Sequence, residues 1–337
     1  MSKFIVTGGL GFIGSNLVEY LINLGHEVVS IDKISYSSNI HNVKEIKNHK
    51  KYKFFKIDIN NKNKIKKLIL KYNPKCIFNL AAETHVDRSI DKSDEFIKSN
   101  INGVHSLLEA ILISKKKVKL IHISTDEVFG SIRNGRASES FPYNPRNPYA
   151  ATKAAADHLI KSYANTYKIK TIITNCCNNY GPKQNPEKLI PKIISNLLNG
   201  KKLPIYGRGK NSREWIYVKD HCEALMYIYR KGRSGESYNI GSSQNFKNND
   251  IAKKLIHLAK KIGVFTSKSK ILYVKDRPGH DLRYALNNNK IKKKLKWKFK
   301  TKIDEGLFKT FRWYISNKKF FKNIKNKNFN YRLGRKR

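Results

Sequence analysis

The sequence predicts an α/β fold in which a doubly wound parallel sheet carries a second, smaller mixed α/β lobe. Two observations lead to this fold class. Short apolar runs alternate with amphipathic stretches through the first half of the chain, a pattern typical of parallel sheets with helices on both faces. A glycine-rich turn, residues 8–14, also lies directly between the first strand and the first helix.

The first lobe is predicted over residues 1–180. Its strands are expected at 4–7, 27–31, 52–57, 75–80, 118–124 and 171–176, and its helices at 13–24, 64–72, 94–113 and 149–167. In a sheet of this kind ligands bind at the carboxyl ends of the strands. The polar residues that follow each strand are therefore the candidates for a functional site.

After residue 182 the alternation breaks into short pieces, at 186–199, 203–206 and 214–218, with helices near Asp220 and Asp250. This pattern predicts a smaller lobe over 181–316 that closes over the ligand, with strand exchange between the lobes allowed for. Residues 317–337 are rich in Lys and Arg and are predicted to be a loosely ordered basic tail.

Composition narrows the class of protein. A chain of 337 residues with 39% hydrophobic residues can bury a full core. No run approaches the roughly 18 apolar residues of a membrane span, and the first residues lead straight into a strand, so no signal peptide is expected. The four cysteines lack metal-ligand spacing, and we expect reduced thiols, no metal site and a cytoplasmic location.

The formal net charge of +44 is unusual. Such a charge can indicate a nucleic-acid partner, and a basic nucleic-acid-binding protein is kept as a remote alternative. However, the lysines are spread along the whole chain, so solvated surfaces are the favoured interpretation and no nucleic-acid or membrane partner is expected. The positive field would still speed the encounter with an anionic substrate.

The glycine-rich turn fits a dinucleotide-binding fingerprint. Gly9, Gly11 and Gly14 have the expected spacing, and Gly8, Gly11 and Gly14 repeat at every third position. Glycines let the backbone approach a pyrophosphate, which the N-terminus of the following helix attracts. Asp32 ends the second strand, about 20 residues on, where a carboxylate binds the adenosine ribose. This lobe is therefore predicted to be a Rossmann domain that prefers NAD to NADP.

Other candidate cofactor contacts follow successive strands of the same sheet. They are Phe12 and Ile13 in the turn, Lys33, Ile34 and Ser35 after the second strand, Asp58 and Ile59 after the third, and Leu80, Ala81, Ala82, Glu83 and Thr84 after the fourth. Small residues after the fourth strand would let the cofactor approach closely.

Tyr149 and Lys153 are one helical turn apart, so both lie on one helix face. The Lys153 ammonium and the nicotinamide charge are expected to lower the tyrosine pKa from its usual value of about 10, so that Tyr149 can accept a hydroxyl proton. Asp126 and Glu127 follow the preceding strand. Alcohol oxidation alone does not need this carboxyl pair, whereas elimination of water from a sugar does.

With these motifs the chain resembles the extended short-chain dehydrogenase/reductases and, among them, the dTDP-glucose 4,6-dehydratases. The resemblance runs from about residue 2 to the helix around Trp313. It is carried by the segments 7–14, 81–89, 124–130, 149–153, 174–182, 186–191, 204–207, 213–218 and 277–281. As a set these motifs are specific, since the wider superfamily shares only the first one and the Tyr/Lys pair.

The resemblance implies five catalytic residues. Thr125 would bind the C4 hydroxyl of the sugar, and Tyr149 would remove its proton, assisted by Lys153, while NAD accepts the C4 hydride. Glu127 would then take the C5 proton, and Asp126, protonated, would donate a proton to the departing C6 hydroxyl. The hydride would return to C6, so the reaction has no net redox change.

The resemblance also implies contacts with ligands. Ser99 and Asn179 would line the cofactor site, Asn179 facing the nicotinamide, and Thr84 and His85 would line the cofactor or substrate. The nucleotide diphosphate of the sugar would be held in the second lobe by Asn178, Lys188, Leu189, Pro204, Ile205, Tyr206, Arg213, Asn248, Arg277, Pro278, Gly279 and His280. A homodimer is expected. A UDP-sugar 4,6-dehydratase and a nucleotide-sugar 4-epimerase remain as alternatives, because thymine and uracil specificity is not readable from these residues.

Overall fold

A computed structural model describes residues 1–322. The chain forms strands β1 (Lys3–Thr7), β2 (Glu27–Asp32), β3 (Tyr52–Lys56), β4 (Cys76–Asn79), β5 (Lys119–Thr125), β6 (Thr171–Cys176), β7 (Asn178–Tyr180), β8 (Leu203–Tyr206), β9 (Ser212–Tyr217), β10 (Ser237–Ile240), β11 (Asn245–Lys247) and β12 (Ile271–Val274).

The helices are α1 (Phe12–Asn23), α2 (Lys62–Tyr72), α3 (Val86–Asp91), α4 (Asp94–Phe96), α5 (Gly103–Ser114), α6 (Pro148–Tyr167), α7 (Leu189–Leu198), α8 (Val218–Lys231), α9 (Asn248–Ile262), α10 (Asn289–Leu295), α11 (Ile303–Ser316) and α12 (Lys319–Lys322). Two 3₁₀ turns, Ile40–Val43 and Asp126–Phe129, and a π-helical segment, Ile97–Asn102, complete the described elements.

Seven parallel strands form the central sheet in the order β10-β6-β5-β4-β1-β2-β3. Its strands are buried on both faces because alternate side chains enter two different cores. Along β1, Phe4 and Val6 join a core with α1 and α8, whereas Ile5 joins a core with α2, α5 and α6. The predicted doubly wound parallel sheet is confirmed.

The strand β10 comes from the later part of the chain. Its residues pair in parallel with β6, in the register Ser237 to Ile173 and Ile240 to Cys176. The preceding helix α8 packs on the same face of the sheet as α1. The first lobe therefore draws on chain from both sides of residue 180.

The long helix expected at 94–113 is interrupted. A π-helical segment, Ile97–Asn102, lies between α4 and α5. Its widened backbone brings Ser99 and Asn100 inward, and Asn100 accepts a hydrogen bond from Glu83 N at 2.8 Å and donates to Thr152 Oγ1 at 3.0 Å. Such π segments are frequent at functional sites, and apolar periodicity alone does not reveal them.

The second lobe has its own core around α7, α9 and α11. It contains Ile193, Trp215 and Leu307, and two small sheets, β11-β9-β7 and β12-β8, flank it. Part of the predicted basic tail packs here, since Phe320 of α12 is buried against Trp313 and Tyr314. The rest of that prediction, residues 323–337, lies outside the described residues. Within residues 1–322 no helix has the length and apolar character needed to cross a membrane.

Candidate functional site

The glycine-rich turn brings backbone from two strands and one helix close together. Gly8 has φ +67°, and a Cβ there would lie 2.8 Å from the Leu80 carbonyl. A Cβ on Gly14 would collide with the carbonyl oxygen of Gly8. The helix α1 starts just after Gly11 without an acidic residue in its first turn. The glycines thus allow the turn to pack tightly against β4 and α1, and the positive end of α1 suits an anionic group such as a pyrophosphate.

Asp32 is held rigidly at the end of β2. Its Oδ2 accepts a hydrogen bond from Leu10 N at 3.0 Å, and its Oδ1 accepts from Ile34 N at 2.8 Å and from Ser38 Oγ at 2.6 Å. These contacts tie the carboxylate to the glycine-rich turn and fix its orientation beside the cavity.

One cavity lies over the carboxyl ends of β1 to β4. Of the predicted cofactor contacts, it is lined by Gly8, Gly11, Asp32, Lys33, Ser35, Asp58, Ile59, Leu80, Ala81, Ala82, Glu83 and Ser99. Lys33 crosses this cavity, since its Nζ donates to Ser99 Oγ at 2.7 Å and lies 3.2 Å from Glu83 Oε1. Sequence reasoning missed Ser37 and Ser38 on its wall. In the sequence, only the serine-rich character of the loop after β2 pointed to these two residues.

A second cavity adjoins the first and holds the catalytic candidates. Its predicted members are Gly8, Gly11, Phe12, Ile13, Gly14, Leu80, Ala82, Thr84, Thr125, Asp126, Glu127, Tyr149, Lys153, Asn178, Asn179 and Lys188. The structure thus brings the fingerprint, the carboxyl pair and the Tyr/Lys pair together at one edge of the sheet. Two buried cysteines, Cys176 and Cys177, were not expected there; both are free thiols.

The carboxyl pair lies in a 3₁₀ turn that directly follows β5. Thr125 begins this turn, and its Oγ1 accepts a hydrogen bond from Glu127 N at 3.3 Å and donates to Asp126 Oδ1 at 3.3 Å. Because successive side chains in the turn point in different directions, the two carboxyl groups meet different surroundings.

Asp126 is 3% exposed, and its Oδ2 is buried without a hydrogen-bond partner. Burial, followed by the charge of Glu127, raises its pKa well above the usual value. Arg213 opposes this shift but does not reverse it. Burial therefore favours the protonated form of Asp126, which suits a proton donor.

Glu127 is only partly buried and accepts two hydrogen bonds at Oε2, from Asn147 Nδ2 at 3.2 Å and from Tyr284 OH at 3.3 Å. Asn147 caps the N-terminus of α6, since its Oδ1 accepts from Ala150 N at 2.9 Å, and Pro148 fits the first turn. Donors alone surround this oxygen, as a carboxylate requires. Sequence reasoning missed both donors, which are remote from Glu127 along the chain.

Tyr149 and Lys153 lie on the inner face of α6, 8% and 3% exposed. Burial and then the charge of Glu127 raise the pKa of Tyr149 well above 10. The expected lowering by Lys153 together with the nicotinamide charge is not seen in the protein alone and stays a prediction for the cofactor-bound protein. Without the cofactor, Lys153 Nζ donates to Ile123 O at 2.7 Å and lies 3.1 Å from His122 Nε2. Burial also lowers the pKa of Lys153 to about 8.

Asn179 and Lys188 line the same cavity but are held by protein groups. The Asn179 side chain donates to Cys177 O at 3.0 Å, and its Oδ1 lies 2.8 Å from His221 Nδ1. Lys188 Nζ donates to Thr84 O at 2.9 Å, which links the second lobe to the loop after β4.

Arg213 faces the carboxyl pair from β9. Its guanidinium stacks 4.2 Å from the centroid of the Tyr284 ring and donates to Asp281 O at 2.9 Å. Burial lowers its pKa, while Tyr284, Glu127 and Asp126 act in the opposite direction. An arginine fixed in this way presents positive charge beside the catalytic turn.

Arg277 lies across the cleft between the lobes. Its Nη1 is 3.5 Å from Asp87 Oδ1, and Asp87 Oδ2 accepts a hydrogen bond from Tyr206 OH at 2.8 Å. Burial disfavours the charge of Arg277, yet Asp87 and Glu127 together raise its pKa. Its Nε is buried without a hydrogen-bond partner. Asp87, on α3, was missed as a site residue although it lies within the recognised segment 81–89.

The remaining predicted residues lie outside both cavities. His85 is buried, with Nε2 3.7 Å from Glu187 Oε2, and Ile34 is 43% exposed. Ile205 belongs to the second-lobe core, and Leu189 packs against it. The others are Pro204 in β8, Asn248 at the start of α9, and Pro278, Gly279 and His280 in the loop after β12. Their ligand contacts stay predictions.

The parallel sheet, its glycine-rich turn and the Tyr149/Lys153 pair in one cavity define an extended short-chain dehydrogenase/reductase. A family model described as GDP-mannose 4,6 dehydratase matches residues 5–310. A dTDP-glucose 4,6-dehydratase of Neisseria meningitidis serogroup B is 41% identical over 352 residues, covering 99% of both chains. The chain belongs to the dTDP-glucose 4,6-dehydratase family.

Solved structures agree with this assignment. The dTDP-glucose 4,6-dehydratase of Bacillus anthracis, crystallised in complex with NAD, superposes with a TM-score of 0.89 at 40% identity, covering 96% of this chain and 100% of that chain. The enzyme of Streptomyces venezuelae, with NAD and TYD bound, gives a TM-score of 0.91 at 37% identity, again covering 96% and 100%.

Proposed function

We propose that this chain converts dTDP-glucose to dTDP-4-keto-6-deoxyglucose and water. One observation carries the proposal: two adjacent carboxyl groups, Asp126 and Glu127, share a cavity with Tyr149 and Lys153 but have different environments. Burial raises the pKa of Asp126 and so favours its protonated form, while Glu127 accepts hydrogen bonds. An oxidation site with an acid and a base beside it suits oxidation coupled to elimination.

The residues present fit NAD as the cofactor. Gly8, Gly11 and Gly14 line the cavity at the start of α1, where the absence of side chains lets a pyrophosphate approach the backbone. Asp32 lies on the wall of the adjoining cavity, where a carboxylate suits ribose hydroxyls and disfavours a 2′-phosphate. When bound, NAD supplies the acceptor for the C4 hydride and its return to C6.

In the oxidation half of the reaction, Tyr149 accepts the C4 hydroxyl proton. Its pKa is high in the protein alone, since burial and Glu127 disfavour tyrosinate. Lys153, one turn along α6, is the nearby amine able to exchange a proton or to offset that charge. Thr125, which lines the same cavity as Tyr149, binds the sugar oxygen.

In the elimination half, the C4 ketone acidifies the C5 hydrogen, and Glu127 takes that proton. Asp126 donates its proton to the departing C6 hydroxyl, because hydroxide is a poor leaving group at neutral pH. The two roles are not interchangeable. Burial favours the neutral form of Asp126, whereas Asn147 and Tyr284 donate hydrogen bonds to Glu127.

The nucleotide diphosphate is assigned to the cleft between the lobes. Arg277 keeps a buried, unpartnered Nε there, and Arg213 lies near the carboxyl pair. A guanidinium binds phosphate through paired N–H donors. The other predicted substrate residues lie in the surrounding β8, α9 and 277–281 segments.

The alternatives remain within nucleotide-sugar chemistry. A 4-epimerase would need Tyr149, Lys153 and NAD, but would leave the acid and base at Asp126 and Glu127 without a role. A UDP-sugar 4,6-dehydratase would use every catalytic residue, since UDP and dTDP differ only in the base methyl group and the 2′-hydroxyl, both remote from the reacting sugar.

The decisive experiment incubates the purified protein with dTDP-glucose and follows the sugar nucleotide by mass spectrometry. We expect loss of one water without accumulation of NADH. An unchanged mass with isomerisation to the galactose form would support the epimerase instead. A parallel incubation with UDP-glucose tests which of the two nucleotides the enzyme prefers.

We also propose a cytoplasmic homodimer. The outer surfaces of α5 and α6 carry an aromatic group, His105, Tyr163 and Tyr167, and Ile113 is 37% exposed. Apolar surface of this kind suits a two-fold contact between identical helices. Light scattering that gives the mass of one chain at micromolar concentration would contradict the dimer.

A further inference from the structure

A buried histidine that no step of the proposed reaction uses contacts the wall of the catalytic cavity. His221, on α8, is fully buried, and its Nδ1 lies 2.8 Å from Asn179 Oδ1. Burial lowers the pKa of His221 to about 3, so the ring is neutral and carries a single proton. The nitrogen that carries this proton decides what His221 can do for Asn179.

The contacts of Asn179 fix the position of the proton. Asn179 Nδ2 lies 3.0 Å from Cys177 O, and a carbonyl oxygen only accepts, so the amide nitrogen must be the group that faces Cys177. The amide oxygen then faces His221. Because this oxygen also only accepts, His221 Nδ1 must donate, and the ring is the tautomer with its proton on Nδ1.

This tautomer is unfavourable for a side chain that only fills space. It leaves His221 Nε2 as an unprotonated acceptor, and within residues 1–322 this buried nitrogen has no hydrogen-bond partner. A buried acceptor without a partner destabilises the folded protein. The hydrogen bond to Asn179 is therefore what a histidine adds at this position.

Asn179 is placed to meet the reacting end of the cofactor. It lines the cavity that also holds Tyr149 and Gly14 of the glycine-rich turn. Hydride transfer from C4 requires the nicotinamide to lie beside the hydroxyl that Tyr149 deprotonates. With its oxygen held by His221, the Asn179 amide can offer this end of the cavity only its nitrogen. That nitrogen also lies near the Cys176 thiol, a weak acceptor that a ligand carbonyl can replace.

We propose that His221 is a positioning residue, which holds the Asn179 amide so that its nitrogen, and not its oxygen, faces the nicotinamide carboxamide. A fixed donor pairs with the carboxamide oxygen and so helps to set which face of the nicotinamide the sugar meets. The inference deepens the cofactor site of the proposed function and rests on it.

The variants His221→Phe and His221→Asn separate this role from packing. Phenylalanine keeps a ring but loses the donor, whereas the Nδ2 of asparagine takes nearly the place of histidine Nδ1. Calorimetric titration of the protein, freed of any bound NAD, should show about a fivefold rise in the Kd for NAD in His221→Phe, as expected when one hydrogen bond is lost. His221→Asn should show a clearly smaller rise.

ADP-ribose is the matched control ligand, because it lacks the nicotinamide but keeps the rest of the dinucleotide. It should bind the unmodified protein and both His221 variants with Kd values within about twofold of one another, since no contact of ADP-ribose depends on the Asn179 amide. Equal losses of affinity for NAD and ADP-ribose would overturn the proposal, because they would show general damage to the cofactor site.

A cycle with Asn179→Ala tests whether the effect passes through this amide. In the Asn179→Ala background, His221→Phe should raise the Kd for NAD by less than about twofold, because the group that His221 positions is gone. An undiminished rise would overturn the proposal.

Another measurement needs neither cofactor nor substrate. ¹⁵N-histidine NMR of the whole protein near neutral pH, with the His221 signals identified through His221→Asn, should show a protonated Nδ1 and an unprotonated Nε2. A proton on Nε2 would overturn the inference. A protein with the expected tautomer and the expected NAD affinities that fails to dehydrate dTDP-glucose would count only against the proposed function.

Discussion

Tyr284 in the second lobe donates a hydrogen bond to Glu127 in the first, with 3.3 Å between the hydroxyl and Oε2. The same hydroxyl lies 2.7 Å from Asp281 Oδ2, so one proton is shared between two carboxyl groups. Glu127, the assigned C5 base, is thus oriented from across the cleft, with Asn147 as its second donor.

Tyr284→Phe keeps the ring that stacks on Arg213 and removes only the hydroxyl. We expect kcat to fall by about tenfold, since a hydrogen bond to a charged acceptor contributes about 1.5 kcal/mol, with little change in KM. Steady-state assay of dTDP-glucose turnover measures both. A rise in KM with unchanged kcat would assign Tyr284 to substrate binding instead.

Glu127→Gln should separate the two halves of the reaction. Elimination loses its base, so reduced cofactor should build up to a stoichiometric absorbance signal. The charge of Glu127 also raises the pKa of Tyr149; without it, the pH profile of C4 oxidation should move to lower pH. Stopped-flow absorbance follows both effects. Equal losses in oxidation and elimination would contradict the role of Glu127 at C5.

Asp126→Asn should lower turnover and raise stability together. Burial raises the pKa of Asp126 in the folded protein, while the unfolded value is about 4. The folded protein therefore loses stability as the pH rises from about 4 through the pKa that Asp126 has in the folded state. Asparagine at this position carries no titrating proton, so the variant does not lose stability in this way. We expect a Tm gain of a few degrees at pH 7 that vanishes near pH 4. A constant gain at both pH values would mean that packing, not titration, causes it.

Asp87→Asn should weaken substrate binding more than chemistry. The amide oxygen can still accept from Tyr206, but Arg277 loses the charge that holds it across the cleft. KM for dTDP-glucose should rise about tenfold, with kcat within about twofold. Tyr206→Phe, which removes only the hydroxyl bonded to Asp87, is the matched control and should change KM less. Equal rises in KM for the two variants would show that the Tyr206 hydroxyl, and not the charge of Asp87, is what substrate binding requires.

Gly8→Ala should reduce NAD affinity and Tm, because the methyl group would lie 2.8 Å from the Leu80 carbonyl at φ +67°. Gly135 provides the control, since it has φ +68° but open space around the position of a Cβ. Gly135→Ala therefore reports the backbone strain alone. Calorimetric titration with NAD compares the affinities of the two variants. Similar losses of affinity would show that the clash with the Leu80 carbonyl is not the cause.

Local spacing made much of the site predictable. The fingerprint, Asp32 and the Tyr149/Lys153 pair depend on residues close in sequence, and the sheet brings the strand ends together by topology alone. The partners of these groups were not predictable in the same way. Tyr284 reaches Glu127 over 157 positions of chain, and such contacts leave no periodic signal.

The electrostatics were the least predictable part. A lysine one turn from a tyrosine suggests a lowered tyrosine pKa, but the outcome depends on burial and on where the ammonium points. Lys153 is turned to Ile123 O and His122, and Tyr149 lies near Glu127. In the fold, the strand β10 was missed for a similar reason, because its partner β6 is about 60 residues earlier.

The late arrival of β10 bears on how the chain folds as it is synthesised. Until residues 237–240 emerge, β6 has an exposed edge, and unpaired edges invite contacts between chains. The nascent first lobe is thus an incomplete sheet while the ribosome adds about 60 more residues. Because β10 joins the later part of the chain to the first lobe, we expect the two lobes to melt in a single cooperative transition. We expect the incomplete sheet that lacks β10 to be the species most prone to aggregate.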